Sequence, residues 1–209
     1  VTDASAIAEP RAAGIGPGRL VLVVGPSGAG KDTLLGLAKA ACADNSEIVF
    51  PRRLITREAS ASEDNQQVSA EAFQLAVAGG DYAMHWEAHG HRYALSRAID
   101  DDIRAGRTVI ANVSRTVIAA ARRNYANVVV VSITAPPDVL AARLAARARA
   151  SDGLLAQRLA RTVDEMTATP DFTIVNSGTA DYHARQLARI IKGERWDPSS
   201  EGKDANVGD

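Results

Sequence analysis

Gly25, Pro26, Ser27, Gly28, Ala29, Gly30, Lys31, Asp32 and Thr33 follow one another directly after the apolar run Leu20 to Val24 and at the start of a segment with helical periodicity, Lys31 to Cys42. This is the order of a Walker A phosphate loop. Glycines let the backbone wind tightly enough for its N–H groups to point inward at phosphate oxygens, and the helix that follows adds a favourable potential for an anion. Lys31 supplies a point charge for the β- and γ-phosphates of ATP. A glycine-rich strand-to-helix turn that binds nothing is the other reading, and it does not account for the four matching features together with their flanks.

One position departs from the pattern. The residue after the lysine is ordinarily Ser or Thr, which binds Mg²⁺; here it is Asp32, with Thr33 one step later. A carboxylate in the first turn of a helix can hold Mg²⁺ directly or through water, and no strand-end Asp of Walker B type is evident, because Asn112 closes the next apolar strand. Asp32 is therefore expected to supply part of the carboxylate missing there. The alternative is a capping Asp that favours the helix dipole.

Transfer of a γ-phosphoryl group to a hydroxyl benefits from a general base, whereas a phosphate acceptor is already mostly ionised near neutral pH, its second pKa being about 6. The chain is poor in bases near the loop and rich in arginines in two irregular stretches, as expected where two polyanions are brought together. Arg53 and Arg57 fall to the acceptor side; Arg147, Arg149 and Arg158 fall to a lid over ATP near residues 146–158. Each arginine taken singly reads equally well as part of a solvated helix face, so the assignment rests on clustering. Trp86 and Tyr93 read either as lining of the acceptor pocket or as core, core being the better reading for Trp86. His85, His89 and His91 do not read as a metal site, since an alternating strand does not aim all three together and the chain has a single cysteine.

The elements that must position these residues follow from the apolar pattern. Short β-branched runs alternate with amphipathic segments: Leu20 to Val24, then Lys31 to Cys42; Thr108 to Val113, then Ser114 to Tyr125; Val128 to Ile133, then Pro136 to Ala148; Phe172 to Val175, then Thr179 to Lys192. Solidly apolar strands separated by helices imply an α/β fold with a parallel sheet covered on both faces. The rhythm breaks between Arg52 and Leu95, which reads as an inserted acceptor-binding subdomain with a short helix near Ala70 to Ala78, and again between Arg143 and Arg161. Residues 1–18 and 194–209, rich in small and polar residues without periodicity, read as loose tails flanking a domain over 19–193.

Composition excludes several classes. With 209 residues, 46% hydrophobic and 23% charged, the chain is long enough for one sizeable core. The 24 basic and 25 acidic residues leave a net charge of −1, so no whole-protein attraction to nucleic acid or anionic membrane is expected. Cys42, the single cysteine, forms no intramolecular disulfide, and no apolar run approaches the ~20 residues of a membrane span. The beginning of the chain lacks the basic flank and apolar centre of a signal peptide, and a cytoplasmic protein is expected.

The order of phosphate loop, Arg52-Arg-Leu-Ile-Thr-Arg57, Trp86-Glu-Ala-His-Gly-His-Arg-Tyr93, Arg143-Leu-Ala-Ala-Arg147-Ala-Arg149 and Arg158-Leu resembles the guanylate kinase-like P-loop kinases over about residues 19–193. The loop ending in Gly-Lys-Asp-Thr, the Glu63-Asp-Asn65 stretch and Asn112-Val-Ser-Arg115 look more like the ribose 1,5-bisphosphate phosphokinase family within that fold. The resemblance implies that Arg57 and Tyr93 hold the acceptor phosphate and that Arg147 and Arg158 join Lys31 as catalytic groups on the ATP phosphates. It adds Asn112, Ser114 and Arg115 to Arg53 and Trp86 on the substrate side, the last two of the three where such a sheet presents ligands at its carboxyl edge. Asn176 is implied near adenine, or is a turn residue in Asn-Ser-Gly.

Guanylate kinases read guanine with two carboxylates, whose places are taken here by Met84 and Asn112, so the guanine readers are missing. The implied reaction is Mg²⁺-dependent transfer from ATP to the 1-phosphate of ribose 1,5-bisphosphate, giving 5-phosphoribosyl 1-diphosphate, a step of phosphonate breakdown that supplies nucleotide and NAD synthesis. Two rivals stand beside it. A nucleoside monophosphate kinase would need another base-reading set. A non-catalytic binding module would be expected to have lost phosphate-loop function, against the intact Gly25, Gly30 and Lys31.

Overall fold

The computed structural model describes residues 14–57, 65–88, 90–147 and 169–194, apart from the side chains of residues 144, 146 and 147. In chain order its elements are β1 (Arg19–Val24), α1 (Lys31–Ala41), β2 (Ile48–Val49), β3 (Arg53–Ile55), β4 (Asn65–Gln67), α2 (Ala70–Gly79), β5 (Tyr82–Ala88) and β6 (His91–Ser96). Then come α3 (Ala98–Arg104), β7 (Thr108–Asn112), a 3-10 turn (Arg115–Val117), α4 (Ile118–Asn124), β8 (Val128–Thr134), α5 (Pro137–Arg147), β9 (Phe172–Val175) and α6 (Ala180–Lys192).

The main sheet runs β2-β7-β1-β8-β9 with every pairing parallel. Alternation along β1 sends its side chains to opposite faces. Leu20, Leu22 and Val24 join one apolar cluster with Ile99 and Ile103 of α3 and Ile118 of α4, while Val21 and Val23 join another with Leu34 and Ala38 of α1 and Leu187 and Ile191 of α6. Leu20 through Val23 are wholly buried, which is why the strand is apolar without interruption. Each such side chain contributes roughly 1.5–3 kcal/mol by leaving water. The direction of successive connections reverses at β1, and this opens a crevice at the carboxyl edge of the sheet.

A second sheet, β4-β3-β6-β5, stands beside it, parallel between β3 and β4 and antiparallel elsewhere. Helix α2 starts at Ser69, whose side chain accepts from the amide of Ala72, and closes with Gly80 in the left-handed conformation. Its Phe73 packs on Tyr82 and Ala94.

Two elements escape the apolar rhythm: β2 has only two residues, and α3 hides its buried Ile99 and Ile103 around the run Asp100-Asp101-Asp102. Residues 14–18, assigned by composition to a tail, are bonded into the domain. The Ile15 amide donates to Asn124, the Ala126 amide donates to Ile15, and the Gly18 amide donates to Ile103. Of the expected lid at 146–158, residues 148–158, with Arg149 and Arg158, lie outside the described residues, as does the side chain of Arg147. Among the described residues no helix is long and apolar enough to cross a membrane.

Candidate active site

The phosphate loop lies between the carboxyl end of β1 and the start of α1, over the crevice. Gly25 has φ +145°, and a Cβ there would run into the carbonyl oxygen of Ile133 on β8, so only glycine fits against the neighbouring strand. Gly30, at φ +87°, caps α1, and its missing Cβ makes room for the side chain of Asn176. Asn176 is buried, and its Nδ2 donates to the carbonyl of Ala29 at 2.8 Å. Arg143 of α5 reaches the carbonyls of Gly28 and Asn176, each at 3.4 Å. These two side chains brace the loop from behind. Lys31 turns back over it, its Nζ donating to the carbonyls of Gly25 and Pro26, both at 2.8 Å.

Beside the loop, in the first turn of α1, Asp32 meets side chains brought from far along the chain. Asn112, the last residue of β7, donates from Nδ2 to Asp32 Oδ1 at 3.0 Å. Arg53 of β3 places NH2 3.9 Å from the same oxygen and donates from NH1 to the carbonyl of Asn112 at 3.3 Å. The guanidinium is held on its other side by Asn65, whose Oδ1 accepts from Nε at 3.0 Å, and it lies 5.9 Å from the centre of the Tyr93 ring. Tyr93 stacks on Trp86 with the rings 6° from parallel and 5.6 Å apart. Phosphate loop, metal-candidate carboxylate and the arginine expected on the acceptor side are thus one cluster spanning both sheets.

Other expected residues sit at its margins. Arg57 follows β3 by two residues, the chain there being pinned when Thr56 Oγ1 accepts from the amide of Arg92 at 3.0 Å. Ser114 and Arg115 lie just past β7 at the carboxyl edge, where the Ser114 hydroxyl accepts from the amide of Thr116 and so caps the 3-10 turn. Met84 is buried in the core with Trp86 and Tyr93, so no carboxylate stands at that place. His85 is exposed and His89 lies outside the described residues; among the described residues no three His, Cys, Asp or Glu gather around a common point.

Sequence reading missed two participants. Arg143 was visible only as one arginine of a cluster, with no sign that it turns toward the loop. Asn65 stood in a polar stretch of the insertion, and nothing in its neighbours marks it as 4% exposed.

No protein-family model matches the chain. Among curated proteins, a ribose 1,5-bisphosphate phosphokinase PhnN of Bradyrhizobium diazoefficiens is 63% identical over 196 residues, covering 94% of this chain and 99% of that protein. The chain belongs to the ribose 1,5-bisphosphate phosphokinase family. Members from Rhodopseudomonas palustris, 62% identical over 92% of this chain and 98% of the relative, and Methylobacterium radiotolerans, 54% over 84% and 98%, agree. Among solved structures, guanylate kinase from Anaplasma phagocytophilum aligns with a TM-score of 0.63 over 87% of this chain and 88% of its own, at 22% identity. The family member described here therefore has the guanylate kinase-like α/β fold expected from its sequence.

Proposed function

We propose that the protein transfers the γ-phosphoryl group of ATP to the 1-phosphate of ribose 1,5-bisphosphate, giving 5-phosphoribosyl 1-diphosphate and ADP. Family membership supports the substrate, and the observation that carries the chemistry is the approach of Arg53 to Asp32 at 3.9 Å, which brings an acceptor-side cation to the edge of the phosphate loop. An acceptor phosphate oxygen attacks the γ-phosphorus as the bond to the β-bridging oxygen breaks. That oxygen is already ionised near neutral pH, so no side chain has to remove a proton.

The work of the protein is then positioning and charge. Backbone N–H groups from Gly25 to Gly30 cradle the ATP phosphates, and Lys31 exchanges its two loop carbonyls for the β- and γ-phosphates. Arg53, Arg57 and Tyr93 hold the acceptor, Tyr93 being fixed by its stack on Trp86, and Ser114 and Arg115 approach it from the carboxyl edge. Asn112 serves as a strut between Arg53 and Asp32, its main-chain carbonyl accepting from the arginine and its side-chain Nδ2 donating to the carboxylate. Arg147, Arg149 and Arg158 complete the assignment on the ATP side. Asn176 acts through the loop it braces.

The donor set suits Mg²⁺. Asp32 is a hard oxygen donor, 39% exposed, and its contacts with Asn112 and Arg53 both fall on Oδ1. Bound there with the ATP phosphates, Mg²⁺ would neutralise charge on the transferring group. A kinase spending ATP in this way belongs in the cytoplasm.

The test is ADP release with Mg²⁺-ATP and, in parallel, ribose 1,5-bisphosphate, GMP and a panel of other monophosphates. Turnover with the sugar bisphosphate and with none of the nucleotides is expected. Turnover with GMP instead would overturn the substrate assignment.

A further inference from the structure

Arg53 joins the second sheet to the phosphate-loop helix, and what holds it there is Asn65. The two are cross-strand partners in the β3–β4 register. The Asn65 side chain is buried, and its Oδ1 takes the Arg53 Nε while its backbone carbonyl takes NH2 of Arg52 at 3.0 Å. A guanidinium on a long stem has many rotamers; the buried acceptor at Nε anchors it, and the longer bond from NH1 to the Asn112 carbonyl sets its direction in the absence of ligand. That direction points NH2 at Asp32.

Asp32 consequently faces two partners. Its Oδ1 is shared by the Asn112 amide and the Arg53 guanidinium, and a cation beside a carboxylate opposes the arrival of a second cation. At 3.9 Å the pair is longer than a good charge-assisted hydrogen bond, so a phosphate dianion arriving on the Tyr93 side offers Arg53 a stronger partner. We infer that Asn65 is a positioning residue that sets Arg53 as a coupler: acceptor phosphate draws the guanidinium off Asp32 and leaves that carboxylate to the metal, so metal-nucleotide and acceptor promote each other's binding. Reciprocity is required, since each ligand changes the other's affinity by the same factor. The inference rests on the proposed reaction insofar as it needs a phosphate on the acceptor side and a divalent cation at Asp32.

The test has a binding arm and a kinetic arm. In the first, a non-hydrolysable ATP analogue is titrated calorimetrically at a series of free Mg²⁺ concentrations, with and without inorganic phosphate. Phosphate should lower the half-saturating Mg²⁺ about fivefold in the wild type, the low end of ordinary coupling. It should have no effect in Arg53→Met, and an effect below about twofold in Asn65→Ala. The double variant should match Arg53→Met alone, because Asn65 acts through Arg53.

In the kinetic arm, Asn65→Ala should raise the acceptor KM about tenfold, the scale of one hydrogen bond to a charged group, and the Mg²⁺-ATP KM at saturating acceptor about two- to threefold through the lost coupling, with saturated kcat nearly unchanged. Should that variant fail to fold, Asn65→Asp keeps the oxygen acceptor, and its added charge competes with phosphate for Arg53, so the acceptor KM should rise likewise. An equal effect of phosphate on Mg²⁺ in the wild type and Arg53→Met overturns the inference. So does an Asn65→Ala variant that loses only kcat, in proportion to its folded fraction. Coupling in a wild type that ignores ribose 1,5-bisphosphate would sink the proposed substrate and uphold the coupler; turnover of that substrate without coupling would do the reverse.

Discussion

Two of the arginine-paired carboxylates among the described residues, Asp32 and Asp100, lie toward opposite ends of the main sheet and are built differently. Asp32, at the carboxyl edge, is 39% exposed and lies 3.9 Å from Arg53. Asp100, on α3 toward the amino-terminal end, is 1% exposed; the Tyr125 hydroxyl donates to its Oδ1 at 2.6 Å and Arg97 approaches its Oδ2 at 3.4 Å. Arg97 is itself tied to the carbonyls of Gly80 and Tyr82, so this cluster ties α3 to the second sheet. Burial, then the hydrogen bond to Asp100, pushes the Tyr125 phenol above its ordinary range. A carboxylate removed from water persists only with a full set of partners, whereas one left half in water can keep a long, exchangeable contact. The first arrangement suits stability and the second suits binding.

The widest separation between the two ends should come from Lys31→Met. Turnover should fall by about 10²–10³, the scale of removing one aimed donor from a charged transition state, while the melting temperature stays unchanged. Next is Asp32→Asn, for which the half-saturating Mg²⁺ should rise at least roughly tenfold, since even an outer partner of a metal ligand is worth about that much. Asp32→Ser, which restores the residue more usual in phosphate loops, should recover part of the metal dependence. Unchanged Mg²⁺ titrations in both variants would mean that Asp32 only caps α1. Tyr125→Phe should do the opposite: it leaves a carboxylate oxygen of Asp100 buried without its shortest partner, costing about 2 kcal/mol. Thermal unfolding should fall by about 2–4 °C per kcal/mol, with kcat and both KM values unaffected.

The same contrast explains what could be read from the sequence. The phosphate loop was legible because its chemistry is local: glycines, lysine and flanking elements lie within a dozen residues, and backbone geometry requires their order. The strands of the main sheet were legible because burial on both faces leaves uninterrupted apolar runs such as Leu20 to Val24. The bridge at Asp32 was not, because its parts are 80 residues apart for Asn112 and Asp32 and 59 for Arg53 and Asn112, and only the crossover topology brings them together. Asp100 sits in an acidic run that reads as a solvated face, and its burial hid α3 as well. Residues 14–18 carry no apolar pattern; backbone hydrogen bonds hold them, and these leave no mark on composition.

The smallest expected effect isolates the buried cluster by its proton. Tyr125 ionises near 10 in the unfolded chain and higher in the folded protein, because burial and the Asp100 carboxylate both disfavour the phenolate. Below the unfolded value both states keep the proton, and the contribution of Tyr125 is fully present. As pH rises past about 10 the unfolded chain gives up its proton while the folded protein retains it, so the contribution declines with pH. Lysines and the other tyrosines also titrate there, so the wild-type curve alone is not diagnostic. The difference between wild type and Tyr125→Phe is: their stabilities in urea, well separated at pH 8, should converge between pH 10 and about 11.5 with a slope approaching one proton. Curves that stay parallel across that range would mean that the hydroxyl keeps no special hold on Asp100, and that Arg97 and the apolar packing carry this end of the sheet without it.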